Sequence, residues 1–289
     1  MSSHTFVQAL LSGILLGCFY AVMALGFSMI LGVTRALNLA HGDLIILGGY
    51  LGYWLWSGSG LHPLLLVPVA GAALLPLALL CQWLFQRLPE PKELSSLMLT
   101  FGLSLLLQNF MLGLWRGEYR IIASEPLTAS VRVGSLVLNQ GRLIVAAAAL
   151  ILVAALYLGL TRTRWGRAVR ATSLDREAAA LLGINVDEAT RTTFLLAFGL
   201  SGGAGVLFAT LHYLYPAGGI EVTLLAIVLT IWAGAGRLRS VLLASILLGV
   251  IETLTLTWSG PRWRELVVAL MLLGSLLARS GGLARSRSR

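Results

Sequence analysis

Long apolar stretches constrain this chain more than any other feature of its sequence. Each is about 20 residues long and almost free of charge, which is the length that a helix needs to cross roughly 30 Å of hydrocarbon. Only 11% of the 289 residues are charged and 57% are hydrophobic, whereas roughly a quarter of the residues in soluble domains are charged. The sequence therefore predicts an all-α, polytopic membrane protein.

Nine apolar runs are candidate transmembrane helices. The predicted spans cover residues 6–31, 33–56, 62–86, 95–114, 143–160, 191–212, 221–236, 239–257 and 263–279. If the run at 33–56 is re-entrant, eight spans remain. The longest connecting segments, 115–142 and 161–190, are too short for a domain of ordinary size. The sequence thus predicts a single transmembrane domain over residues 1–289, with a cytoplasmic coupling loop at about 161–190.

Positive charges predict the orientation of the chain. Many of the arginines lie in the segment 161–190 and in the C-terminal tail from Arg279 to Arg289. Because Lys and Arg accumulate in cytoplasmic loops, both regions are predicted to be cytoplasmic and the N-terminus to lie outside, or inside if one run is re-entrant. Because the arginines behind the net charge of +9 lie mainly between apolar spans and in the tail, where they set membrane orientation, membrane lipid is an expected partner and nucleic acid is not.

Polar residues interrupt the second apolar run. Asn38, His41 and Asp43 lie within it, and Gly42 lies between the last two. A charged group at the bilayer centre costs about 2.5–3.5 kcal/mol and usually faces a cavity or a partner. One interpretation is a discontinuous helix at a translocation pathway, with Gly42 at the break. The other is a helix end, where Asn38 and Asp43 act as caps and His41 bonds to another helix. The residues alone do not decide between them.

The loop after the fifth predicted span contains a second informative pattern. Thr172 and Asp175 have the spacing of a capping box, Glu177 adds a negative charge near the helix start, and Gly183 suits the position after the helix end. We expect a helix over about 173–182. An apolar face recurs on it at Leu174, Ala178, Leu181 and Leu182. Such a face fits either a groove on another protein or the membrane surface.

Some kinds of chemistry lack their residues. A Walker A loop needs a lysine after its glycines, yet the only lysine, Lys92, follows Pro91, so the chain is not its own P-loop ATPase. H-E-x-x-H is also missing, and no metal site is expected. An ion-coupled transporter with Asp43, Glu221 or Glu252 as the proton site stays open as a rival hypothesis.

Four stretches of the sequence resemble one family. They are ALGFSMILGVTRALNLAHGDLIILGGY, LTFGLSLLLQNF at 99–110, TRWGRAVRATSLDREAAALLGIN at 163–185 and FGLSGGAGVLFA at 198–209. The Asn-x-Ala-His-Gly-acid motif, combined with Arg-Ala followed by Gly-Ile-Asn, is similar to that of LivH-type permeases of branched-chain amino-acid ABC importers. The likeness extends over most of the chain.

The resemblance implies a type II ABC importer permease in the bacterial inner membrane. Its expected partners are a second homologous permease subunit, two cytoplasmic P-loop ATPases and a periplasmic solute-binding protein. ATP would bind to the ATPases, and no cofactor is expected in this chain. Leu, Ile and Val are the first expected solutes, and other amino acids or urea and amides, which related permeases carry, stay open.

The resemblance also implies roles for particular residues. It places Asn38, His41, Gly42 and Asp43 near the translocation pathway. It makes the helix at 173–182 the coupling helix that docks on an ATPase. The residues expected to take part in this coupling are Arg170, Leu174, Asp175, Glu177, Ala178, Leu181, Leu182 and Gly183.

Overall fold

The computed structural model describes residues 3–89, 91–124, 127, 129–133, 136–263, 266, 269–270 and 273–274. Its helices are α1 (Ser3–Thr34), α2 (His41–Ser59), α3 (Pro63–Ala73), α4 (Leu75–Gln86), α5 (Lys92–Trp115), α6 (Gln140–Arg162), α7 (Arg164–Leu174), α8 (Arg176–Leu181), α9 (Val186–Leu211), α10 (Gly219–Ala233) and α11 (Leu238–Ser259). Single 3₁₀ turns lie at Pro216–Gly218, before α10, and at Pro261–Trp263, after α11. Two short antiparallel strands, β1 (Ser130–Val133) and β2 (Leu136–Asn139), pair Ser130 with Asn139.

Among the described residues, seven helical segments are long and apolar enough to cross a membrane. The prediction of a polytopic helical membrane protein is thereby confirmed. The segment Pro63–Gln86 counts as one span. It is divided into α3 and α4 because Pro76 cannot donate a helical hydrogen bond. Helix α2 is not among the seven, since polar residues occupy its first turn. The predicted span at 263–279 and the arginine-rich tail lie largely outside the described residues.

The predicted span at 33–56 is wrong in its first third. Helix α1 continues to Thr34, the next six residues are not helical, and α2 begins at His41. Arg35 has a φ of 55°, a left-handed conformation that ends a right-handed helix. The Asn38 side chain then accepts a hydrogen bond from the Ala40 N–H at 3.2 Å, which stabilises a turn. The break therefore precedes Gly42 rather than falling on it.

Glycines bring the central helices into close contact. The four-residue spacing of Gly13 and Gly17 predicts such contact, and both lie against the backbone of α11, where a Cβ on Gly17 would be 2.4 Å from the Ile246 Cα. Gly48 of α2 likewise meets α9, where a Cβ would be 2.6 Å from the Gly202 Cα. Helices α1, α2 and α9 surround the largest buried side chains, which include Phe19, Phe27, Tyr50, Phe194 and Phe198.

Peripheral helices expose their apolar side chains. On α5, Met98 is 71% exposed and Leu106 is 70% exposed, and on α6 Ile151 is 68% exposed. Such surfaces are expected where a helix faces lipid. The unpredicted β-hairpin follows α5 and contacts α1, where the Gln8 side chain donates to the Val137 carbonyl oxygen at 3.2 Å.

The segment 161–190, which is predicted to be cytoplasmic, lies at the end of the bundle where α1 and α10 end. Ser173 of α7 lies between Gly32, near the end of α1, and Gly236, which follows α10. The Gly236 N–H donates to the Ser28 carbonyl oxygen at 3.1 Å. A cleft at the same end is lined by Thr34 and Arg176, among other residues. We call this end of the bundle the arginine-rich end.

Candidate translocation site and docking segment

Helix α2 begins deep inside the bundle. The His41 Nε2 lies 2.7 Å from the Met23 carbonyl oxygen. Because a carbonyl only accepts, Nε2 carries the proton and donates it. Along the axis of α1, Met23 lies about 16 Å from the last residue, Thr34, at a rise of about 1.5 Å per residue. The non-helical residues 35–40 thus lead the chain back from the end of α1 into the interior.

Helix α10 begins against the first turn of α2. A Cβ on Gly42 would lie 1.8 Å from the Gly219 carbonyl oxygen. The Gly42 N–H donates to the Thr223 Oγ1 at 2.8 Å, and the Thr223 hydroxyl lies 3.2 Å from the Leu39 carbonyl oxygen. Two helix N-terminal ends, each carrying partial positive charge, therefore meet in the interior. Gly42 is needed for this close approach, rather than for a break in the helix.

The Asp43 carboxylate lies between these helix starts and α5. Its Oδ2 accepts a hydrogen bond from the Ser104 hydroxyl at 2.5 Å, and its Oδ1 accepts one from the Gln108 amide at 3.1 Å. Asp43 is completely buried, and a Cβ on Gly219 would lie 2.1 Å from its Oδ1. An ionised carboxylate at this position complements the positive ends of α2 and α10.

The contribution of α5 was missed in the sequence. Polar residues occupy every fourth position of this helix at Ser96, Thr100, Ser104 and Gln108, which places them on one face. The Thr100 hydroxyl lies 3.3 Å from the Leu37 carbonyl oxygen, so the polar face follows the chain from the non-helical segment to Asp43. This spacing in an otherwise apolar helix is the signal that identifies the stripe.

Asn38 supports the backbone near this site. Besides the side-chain hydrogen bond to Ala40, its carbonyl oxygen accepts the His41 N–H at 3.2 Å, and the residue is buried. Of the predicted pathway residues, His41, Gly42 and Asp43 form the buried start of α2, and Asn38 shapes the turn before it. Passage of a solute along this site stays a prediction.

The helix expected over 173–182 is wrong in its extent. Helix α7 ends at Leu174 and α8 begins at Arg176. Asp175 separates them in an extended conformation, with φ −151° and ψ 112°. Its Oδ1 accepts the N–H of Glu177 at 3.0 Å, so Asp175 is the N-cap of a new helix.

The start of the predicted helix differs from the expectation, whereas its end agrees with it. Thr172 does not form a capping box, because its hydroxyl donates to the Ala168 carbonyl oxygen at 2.9 Å inside α7. Gly183 follows α8 with a φ of 80°, as its position predicted. Arg170, on α7, is exposed.

The apolar residues of this segment are almost entirely exposed. Leu174, Leu181 and Leu182 are 84%, 89% and 82% exposed, and Ala178 is exposed as well. Leucines gathered in this way at the arginine-rich end form an apolar surface of the kind that contacts other molecules. We call residues 174–183 the docking segment.

Helices α2 and α10 begin inside a bundle of membrane-spanning helices, and their first turns meet around buried polar groups. This arrangement is typical of multi-pass membrane transport proteins. Residues 9–276 match the family described as branched-chain amino acid transport system / permease component. The chain belongs to this family, and the predicted resemblance to LivH-type permeases is confirmed.

Individual relatives cover most of the chain. The high-affinity branched-chain amino acid transport system permease protein LivH of Salmonella typhimurium is 27% identical over 97% of this chain and 96% of its own length. BraD of Pseudomonas aeruginosa, a permease protein of the same description, is 26% identical with the same coverage. The fructose import permease protein FrcC of Rhizobium meliloti is 24% identical over 83% of this chain and 69% of its own length.

Proposed function

We propose that this chain is the permease subunit of a bacterial ABC importer that takes up branched-chain or related amino acids. The family supports the transport role, and two relatives named for branched-chain amino acids match nearly the whole chain. The importer contains a second homologous permease subunit, two cytoplasmic P-loop ATPases that bind ATP and a periplasmic solute-binding protein. The chain lies in the inner membrane, with its arginine-rich end and C-terminus in the cytoplasm, and has no ATPase site of its own.

The buried site at the start of α2 supports the pathway role. Transporters place their solute sites near the bilayer midplane, where discontinuous helices end. In this chain the starts of α2 and α10 and the polar face of α5 converge on Asp43. Alternating access then opens this site to one side of the membrane at a time.

The docking segment supports the coupling role. Its leucines contact the ATPase, and α7 passes the motion on, because Ser173 touches both the end of α1 and the turn after α10. Helix α1 carries Met23, which binds His41, and α10 carries Thr223, which binds Gly42. Movement of the docking segment therefore acts on the helices that hold the buried site.

The test is ATP hydrolysis by the assembled importer. The chain is reconstituted with its partners, and hydrolysis is measured with and without solute-loaded binding protein. Leu182→Asp and Ala178→Asp place a charge in the proposed contact and should lower the stimulation about tenfold or more. Leu61→Asp is the matched control, since Leu61 is exposed in the turn between α2 and α3, away from the docking segment. A wild-type chain that neither binds an ATPase nor stimulates one contradicts the proposal.

A further inference from the structure

A cavity of about 300 Å³ opens beside the buried site, between the C-terminal half of α5 and the turn that precedes α10. Gln108 lines it, together with Leu112, Tyr119, Tyr215 and Pro216. The same Gln108 amide donates to the Asp43 Oδ1 at 3.1 Å. Gln108 is therefore the side chain through which the cavity reaches the buried carboxylate. The volume falls within the range of small-molecule sites.

Two carboxylates accept hydrogen bonds from neutral side chains that line this cavity. Gln108 donates to Asp43, and the Tyr215 hydroxyl donates to the Glu221 Oε1 at 2.7 Å. Within the part of the chain that the structure describes, neither carboxylate forms an ion pair. Burial and the Glu221 carboxylate raise the pKa of Tyr215 to about 12, so its hydroxyl stays protonated as a donor. Two carboxylates thus lie one side chain behind the wall of the cavity, and both attract a cation that enters it.

The aromatic rings of the cavity also favour a cation. The rings of Tyr119 and Tyr215 are tilted against each other with centroids 5.6 Å apart, and a cation near such rings is attracted to their faces. The side chain of Arg120, which follows Tyr119 in sequence, is engaged by Glu118 and by the Tyr53 ring. Leu112 and Pro216 provide apolar wall beside the rings.

We propose that this cavity binds the ammonium group of the transported solute and that Gln108 is the donor which the ammonium displaces from Asp43. The inference rests on the proposed function and extends it to the groups that select the solute. An ammonium and a carboxylate carry opposite charges, so their hydrogen bond includes a Coulombic attraction that the neutral Gln108 amide does not supply. The permease itself therefore selects amino acids over sugars, urea and other solutes that lack an ammonium group.

Three variants separate this role from a structural one. Asp43→Asn removes the charge while it keeps the shape, and leucine uptake by the reconstituted importer should fall about tenfold or more. Hydrolysis of ATP stimulated by the binding protein should stay near the wild-type rate. Asp43→Glu restores the charge and should recover part of the uptake. Gln108→Ala removes the donor that competes with the ammonium for Asp43, so the KM for leucine should fall, opposite to the loss of uptake in Asp43→Asn.

Thr230→Val is the matched control, because it removes a buried α10 hydroxyl without a hydrogen-bond partner among the described residues. Its uptake should equal that of the wild type. The inference is overturned if Asp43→Asn takes up leucine at the wild-type rate, or if Gln108→Ala loses as much uptake as Asp43→Asn. Either result leaves the proposed function intact, which fails separately if the wild-type importer shows no ATP-driven leucine uptake.

Discussion

At the start of α2, groups from three other helices converge on one buried turn, whereas the docking segment depends on bonds to its own neighbours in sequence. Gly42 touches α10, His41 bonds to α1, and Asp43 bonds to α5. The docking segment is capped by Asp175 and ended by Gly183, and its leucines touch almost nothing. Substitutions that add atoms to the first region should therefore act on the fold, whereas charges placed on the leucines of the second region should act on a partner.

The largest expected effect is that of Gly42→Ala. The added Cβ would lie 1.8 Å from the Gly219 carbonyl oxygen, so α2 and α10 must separate. We expect the free energy of unfolding to fall by about 3 kcal/mol, the upper part of the usual cost of overpacking. Unfolding in detergent, followed by circular dichroism, measures it.

Gly102→Ala is the matched control for this prediction. Gly102 also lies within a membrane-spanning helix, but nothing lies within 4 Å of a Cβ added there. The control should unfold like the wild type or slightly later, because alanine favours the helix. Equal unfolding of both variants would show that the contact between the two helix starts is not tight.

A smaller and local effect is expected from Asp175→Ala. The variant removes the side-chain acceptor for the N–H groups of Glu177 and Ala178, and loss of an N-cap costs about 1 kcal/mol. Hydrogen exchange should become faster in α8, while the melting temperature of the whole chain stays unchanged. Asp175→Asn keeps a good cap and should exchange like the wild type. A fall in the global melting temperature would mean that the segment is part of the main cooperative unit.

The same contrast explains what the sequence could predict. The docking segment was predictable because its signals are local: a cap, a few leucines at helical spacing and a glycine lie within a dozen residues. Even there the extent was wrong, since a T-x-x-D spacing does not distinguish a capping box from a threonine that bonds back within the preceding helix.

Of the residues that form the buried site, only those at the start of α2 were predictable from the sequence. The polar residues around His41 stood out within an apolar run, yet their partners Ser104, Gln108 and Thr223 are 61 to 181 residues away in sequence. A single sequence contains no record of which helices pack together. The four-residue polar spacing in α5 showed that one face of this helix differs from the others, but not that it faces Asp43.

The smallest effect is expected from Arg176→Gln. The Arg176 Nη2 lies 3.8 Å from the Asp187 Oδ1, and the two side chains are 46% and 72% exposed. This contact links the docking segment to the first turn of α9, so it tests whether long-range bonds hold the segment after all. Exposed ion pairs contribute about 0–1 kcal/mol, and a positive charge at the first residue of α8 opposes the helix dipole. These two effects nearly cancel, and the exchange rate in α8 should change less than it does in Asp175→Ala. If Arg176→Gln instead accelerates exchange as much as loss of the cap, α9 rather than Asp175 holds the segment, and the contrast between a tertiary site and a local one is lost.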